Sequence, residues 1–183
     1  SYLHTDRQST DPKIRAEIVS SLVSYCDKLV EMHAESGLHV LLQGNDYEWG
    51  SNSTVMNRAI LLIAAYEETA DTNYLHVAYD QLHYILGVNI HGMTFITGVG
   101  DRYPQNIHQR QAGADNITEP IPGFLAGGAN AKLQDAALRR AFTRETPPAR
   151  TYLDVLESYA SNEVAINWNA PLLYVMGYLN AVR

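Results

Sequence analysis

A helix from about Ser53 to Thr69 carries AILLIAAY, residues 59–66, through its middle, and that run is apolar on every helical face. A helix with no polar side must be buried from several directions, so other elements have to surround it. The flanking sequence supplies them as helices. Asp11-Pro12 opens one, with Asp as cap and Pro in the first turn. Ile14, Ile18, Leu22, Tyr25, Leu29 and Met32 then recur at helical steps until Gly37. Another helix runs from about Asp71 to Leu86 and stops at Gly87. Helical pattern resumes over about 131–142, breaks at Pro147-Pro148, and returns in a last helix from near Ser161 that Pro171 should kink. No alternating pattern is strong enough to build a sheet, and no internal repeat stands out. The chain reads as all-α.

Between these helices, residues 88–130 change character: glycines at 92, 98, 100, 113, 123, 127 and 128 with Pro104, Pro120 and Pro122 punctuate a stretch too long for a mere connection. Long loops inside compact domains are usually functional. The 183 residues suffice for one compact unit with a sizeable core, and a formal net charge of −7 argues against a nucleic-acid partner. The single cysteine, Cys26, excludes an internal disulfide and a thiolate cluster, and reads as a small buried hydrophobe. No apolar run approaches the ~20 residues of a membrane span. The start, SYLHTDRQ, lacks the basic-then-apolar order of a signal peptide and has no initiator Met, as expected of a processed or excised piece.

Two segments could carry chemistry. RTYLDVLESYASNEVAINWNAP, residues 150–171, holds Asp154 and Glu163 among Tyr152, Tyr159 and Trp168, with the uncharged amides Asn162, Asn167 and Asn169 where a solvated helix would carry Lys and Glu. With Ser161 as N-cap, Glu163 falls in the first turn of the last helix and is explained as a dipole partner. The aromatics and amides suit a carbohydrate site equally well. In TFITGVGDRYPQNIHQR, residues 94–110, His108 and Arg110 follow a glycine-rich turn that is neither a dinucleotide fingerprint nor a phosphate loop. His76 and His83 lie near one face of the third helix without a third ligand at metal spacing, and read as packing histidines.

Together the two segments resemble glycoside hydrolase family nine, the inverting cellulase-type family. Thr94, Ile96, Thr97, Gly100, Arg102, Ile107, His108 and Arg110 follow one family signature; Tyr152, Asp154, Tyr159, Glu163, Ala165, Asn169 and Ala170 follow the other. WGSNS at 49–53, YILGVN at 84–89 and PGFLAGGAN at 122–130 also resemble family segments, in the family's order. The resemblance implies the C-terminal half of an (α/α)6 barrel, with a cleft built by loops at one end and residues 1–183 forming part of a single catalytic domain. It implies that Glu163 is the general acid, that Asp154 helps fix it, and that His108 and Arg110 meet the substrate beside the scissile bond. By analogy Tyr159 and Trp168 line the cleft.

The implied reaction is inverting hydrolysis of β-1,4-glucosidic bonds in cellulose or a related β-glucan, in which one carboxylic acid protonates the leaving oxygen and a carboxylate activates water. That acid must be protonated, whereas a first-turn position favours the anion, so aromatic desolvation and neighbouring carboxylates would have to prevail. The family's base lies in an Asp-rich motif that does not occur here. The implied partner is therefore the N-terminal half of the same domain, without which apolar inner helix faces would be exposed. No metal or cofactor is expected on these residues, the family's structural calcium belonging mostly to the other half, and a secreted or periplasmic location is expected. Gln109 stands where the family has a second His, Ile90 where it has Pro, and Asn167 where it has Asp. These departures leave an exo-β-glucosaminidase or another β-glycosidase of the same scaffold as an alternative, and the absent base leaves a noncatalytic carbohydrate-binding half-barrel.

Overall fold

The computed structural model describes residue 3, residues 10–111, 113–114 and 117–182; the rest of the chain start, read above as lacking a signal peptide, lies outside the described residues. The helices are α1 (Pro12–Glu35), α2 (Ser51–Thr69), α3 (Thr72–Ile85), α4 (Ala136–Ala141), α5 (Tyr159–Asn162) and α6 (Ile166–Ala181). Among the described residues there is no β-strand, only the isolated bridges Ile96 to Leu125, His108 to Glu163 and Ala126 to Val164.

α2 is the centre of the packing, in contact with α1, α3 and α6. Its Val55, Met56, Ala59, Leu62, Ile63 and Ala65 are completely buried, as its all-round apolar sequence requires. α1 and α3 start on Asp11 and Asp71, whose carboxylates accept from Lys13 N and Asn73 N. Cys26 is buried in the core, and burial, with Asp27 adding to it, pushes its thiol up to about 12, so it stays protonated. The apolar stripe of α1 is only partly covered: Leu29 is 2% exposed, but Ile14 is 47% and Ile18 37% exposed. Helical spacing told which residues share a face; it could not tell how far along the helix that face is covered.

The last helix differs from the sequence reading. Ser161 does not cap it. α5 is a single turn in which Ser161 is buried, its hydroxyl bonded to that of Ser158 (2.7 Å). The chain then extends through Glu163 (φ −71°, ψ 158°), and α6 begins only at Ile166. Asp135, fully buried, is the reason for the separate turn: it caps α4 by accepting from Leu138 N (2.7 Å) while its other oxygen takes the Ser158 hydroxyl (3.1 Å) and Ala160 N (2.9 Å). Pro171 lies inside α6.

Loops at one end of the helices form a thin layer over α2. Residues 126–129 run across its N-terminus: Asn52 N donates to Gly127 O (2.9 Å), Asn52 Nδ2 to Ala126 O (2.9 Å) and Ser51 Oγ to Ala129 O (2.8 Å). These carbonyls satisfy donors that the start of α2 would otherwise leave unpaired. The approach requires glycine. Gly128 has φ +97°, and a Cβ there would stand 2.5 Å from Asn52 Cγ and 2.7 Å from Ser51 Oγ. On the opposite edge of the same stretch, Gly127 N donates to Glu163 O and Gly128 N to Ser161 O, both at 2.9 Å.

Gly128→Ala should therefore be much more destabilising than Gly123→Ala, whose position has φ +92° but nothing within 4 Å of an added Cβ. The left-handed backbone alone costs about 1–2 kcal/mol, and the clash at Gly128 adds roughly 1–3 kcal/mol. Denaturant unfolding of the two variants measures the difference; equal losses would refute the close-approach argument.

Candidate active site

Glu163 is fixed through its backbone before its side chain is considered. Its N–H closes the α5 turn on Tyr159 O (3.2 Å), its carbonyl accepts from Gly127, and the preceding carbonyl of Asn162 accepts from His108 N (2.8 Å). The bridges to His108 on one side and from Val164 to Ala126 on the other leave this extended residue little freedom. Among the described residues its half-buried carboxylate accepts one hydrogen bond, from the Trp49 indole Nε1 to Oε2 (3.0 Å).

Trp49 reaches Glu163 from the loop between α1 and α2. That loop is tied down by Gln81, whose Oε1 accepts from Leu41 N (2.8 Å), and by Arg58, which donates to both oxygens of Asp46 (2.7 and 3.2 Å) and to Leu41 O (2.6 Å). Burial is the largest influence on Asp46 and would raise it, but the hydrogen bonds from Arg58 and Gln43 N, with the charges of Arg58 and Lys132, together outweigh it and hold the carboxyl below its usual range. Gln134 completes the mount: its Oε1 accepts from Trp49 N (3.1 Å) and from Asn130 Nδ2 (3.0 Å), and its carbonyl takes the Tyr159 hydroxyl (3.4 Å). The Tyr159 ring leans against Trp49 (centroids 5.2 Å apart, tilted 46°) and meets the His108 ring edge-on at 5.9 Å.

His108, half-buried, donates from Nδ1 to the carbonyl of Leu156 (2.6 Å). A carbonyl oxygen can only accept, so Nδ1 carries a proton and the neutral ring has its lone pair on Nε2. Asp154 is held differently. Its Oδ2 accepts from Gln105 N (2.7 Å), and its Oδ1 from Asn106 N (2.8 Å) and Asn162 Nδ2 (2.9 Å). These bonds make Asp154 the anchor of the loop that delivers His108. Asn162, fully buried, gives its second amide proton to Asn106 O (2.6 Å) and accepts from the Tyr152 hydroxyl (2.6 Å). Burial, reinforced by Asp154, pushes the Tyr152 phenol far above its usual range, so it remains a donor.

The structure thus brings Glu163, His108 and Tyr159 together and puts Asp154 one layer behind, tied to them through Asn162. Arg110 is exposed, two residues beyond His108. Trp168 is half-buried with its indole wedged against backbone: a Cβ on Gly50 would be 2.9 Å from its Cε2, and one on Gly127 would be 3.2 Å from its Cζ3. Asn169 bridges Leu125 N (3.0 Å) and Ala165 O (2.9 Å). Sequence reasoning gave no role to Trp49 or Gln134. WGSNS marked the segment, but nothing local to residue 49 says that it meets residue 163. Among the described residues no group of three His, Cys, Asp or Glu side chains could hold a metal ion; His83 and His33 both pair with Asp80.

Comparison with known proteins bears on this arrangement. The profile of Glycosyl hydrolase family 9 matches residues 6–176. The xyloglucan-specific endo-beta-1,4-glucanase BoGH9A of Bacteroides ovatus is 38% identical over 175 residues, 94% of this chain and 29% of that protein. Among solved structures, the family 9 endoglucanase J30 superposes with a TM-score of 0.89 at 35% identity, over 97% of this chain and 33% of that one. AaCel9A in complex with cellobiose-like isofagomine gives 0.90 at 31% identity, over 98% and 34%. The chain therefore spans about a third of the length of the proteins it matches, and its helices follow their (α/α)6 barrel fold.

Asp154→Asn should loosen the loop without unfolding the chain. An amide nitrogen in place of one carboxylate oxygen would confront a backbone or amide donor, and a hydrogen bond to a charged group is worth about 2 kcal/mol. Hydrogen exchange at the Gln105 and Asn106 amides should accelerate at least tenfold; unchanged exchange would show that the loop is held by something else.

Proposed function

This chain belongs to glycosyl hydrolase family 9, and from that premise we propose that it supplies the acid side of an inverting β-1,4-glucan hydrolase site, with Glu163 as general acid. One observation carries the assignment: of the two signature carboxylates only Glu163 accepts from an indole, that of Trp49, whose ring leans on Tyr159 and through it on His108, while Asp154 is engaged by Gln105, Asn106 and Asn162. In the proposed step the Glu163 proton passes to the glycosidic oxygen as its bond to the anomeric carbon breaks. Water adds to the opposite face of that carbon, giving its proton to a carboxylate on another part of the domain, about 6.5–9.5 Å from the acid as inversion requires. His108 presents Nε2 for a sugar hydroxyl, Arg110 adds a donor beyond it, and Tyr159 and Trp168 offer aromatic faces. Proton, water and two carboxylates suffice, so no cofactor is assigned to these residues. The named relatives point to β-1,4-linked glucans, xyloglucan among them, and a polymer of that size is met outside the inner membrane, which supports a secreted or periplasmic enzyme.

The missing base and the exposed surface point to one partner, the remainder of the same catalytic domain. Ile166 is 91% exposed, Leu173 69% and Met176 39%, and with Phe124, Val164 and Ala165 the first two line an open groove of about 460 Å³. This apolar surface continues directly from Glu163. Among the described residues nothing covers it, as expected of a surface made to be buried.

In the complete domain, Glu163→Gln should lower turnover of xyloglucan or carboxymethylcellulose by roughly 10²–10⁴-fold while oligosaccharide binding persists, and the first product released by wild type should be the α-anomer. Near-normal turnover would sink the acid assignment, a β-anomer the inversion. Turnover of chitosan oligomers in preference to both glucans would transfer the site to a glucosaminidase.

Leu173→Lys places a charge in the groove and should prevent this chain from co-purifying with the separately produced remainder of the domain, with its own helical circular dichroism unchanged. Retained assembly would show that another surface makes the contact.

A further inference from the structure

We infer that Trp49 is a positioning residue for Glu163, its indole N–H fixing Oε2 so that the transferable proton of the acid resides on Oε1; this rests on the reading of Glu163 as general acid. An indole N–H can only donate. The 3.0 Å contact to Oε2 therefore demands a lone pair there. A neutral carboxyl accepts best at its carbonyl oxygen, so the acid form that fits this site has C=O at Oε2 and O–H at Oε1. When Oε1–H gives its proton to the glycosidic oxygen, the charge left on the carboxylate meets a donor already in place, with no side chain to reorganise.

Packing does not require this tryptophan. Trp49 is 41% exposed, whereas Trp168 on the neighbouring helix is the indole pressed into the loop layer. What Trp49 has instead is a mount on three sides: Gln134 Oε1 on its backbone N–H, the Tyr159 ring against its own, and Gly50 (φ +85°) turning the chain sharply after it. An exposed aromatic held this firmly, with its one polar atom on a carboxylate, is arranged for that carboxylate.

Two measurements test the inference. The chain has two tryptophans, so with nitrogen-15 in this chain alone only two indole signals arise, in isolation or in the assembled domain. The Trp49 indole proton should shift with pH as Glu163 titrates, and that shift should vanish in Glu163→Gln. The control separates Glu163 from His108 and from the Glu48–Lys132 ion pair beside Trp49. A Trp49 signal insensitive to Glu163 would overturn the inference. In the assembled domain, Trp49→Phe should lower kcat on a cellooligosaccharide, a poor leaving group, by about tenfold or more, yet change it less than about threefold on 2,4-dinitrophenyl β-cellobioside, whose leaving group needs no proton. Equal losses on both substrates would make Trp49 a structural or sugar-contacting residue and overturn the inference. Glu163→Gln run in parallel separates the two ideas: if it shows the leaving-group split and Trp49→Phe does not, only the inference falls; if it shows no split, the acid reading falls and takes the inference with it.

Discussion

Both amide protons and the carbonyl oxygen of Asn162 are committed, and the rest of the site hangs on those bonds. Asn162 Nδ2 holds Asn106 O and Asp154 Oδ1, Oδ1 takes the Tyr152 hydroxyl, and the backbone carbonyl takes His108 N. A buried amide satisfied at every end fixes several chain segments at once, because each alternative arrangement leaves a polar group without water or partner. Here the segments are 105–108, 152–154 and 162–163, the three that deliver His108, Asp154 and Glu163. The carboxylate of Asp154 is part of that frame, so a charged side chain nine positions before Glu163 serves by holding the loop that carries His108.

The helices were legible in the sequence because their signals are local. Asp11 and Asp71 cap as their side-chain chemistry predicts, and AILLIAAY is surrounded by three helices as an all-round apolar helix must be. The start of the last helix was misread for a reason of the same kind. Ser161 has the side chain of a good N-cap, but Asp135, more than twenty residues earlier, claims Ser158 and Ala160 and stops the turn at Asn162. Local propensity lost to a buried carboxylate that it could not foresee. The correction also moves Glu163 out of the last helix: it lies in the extended link before Ile166, not in a first turn.

Within the site, what the sequence could show was residue type and order. Glu163, Asp154 and His108 fall into two ordered motifs, and the aromatics and amides around residue 163 departed from the make-up of a solvated helix. Trp49 could not be found this way. It meets Glu163 across 114 positions, and its placement follows from Gln81, Arg58 and Gln134, none of which has a distinctive neighbourhood in the sequence. The amides divide as well: Asn162 and Asn169 hold backbone in place, and Asn167 is exposed. A composition suited to sugars was partly a composition suited to joining loops without strands.

The loop layer also explains why the uncovered surface and Glu163 belong to one problem. Glu163 is followed at once by Val164, bridged to Ala126, and then by Ala165 and Ile166, which line the apolar groove. Anything seated in that groove presses on residues one to three positions from the carboxylate. Under the proposed assembly, the remainder of the domain would bring the water-activating carboxylate and in the same contact exclude solvent beside the acid. A Coulombic interaction between the two carboxylates strengthens as water leaves, and the one donor on Glu163 Oε2 would then matter more than it does in the open chain. Under that proposal, docking and acid chemistry are two consequences of where residues 163–166 run.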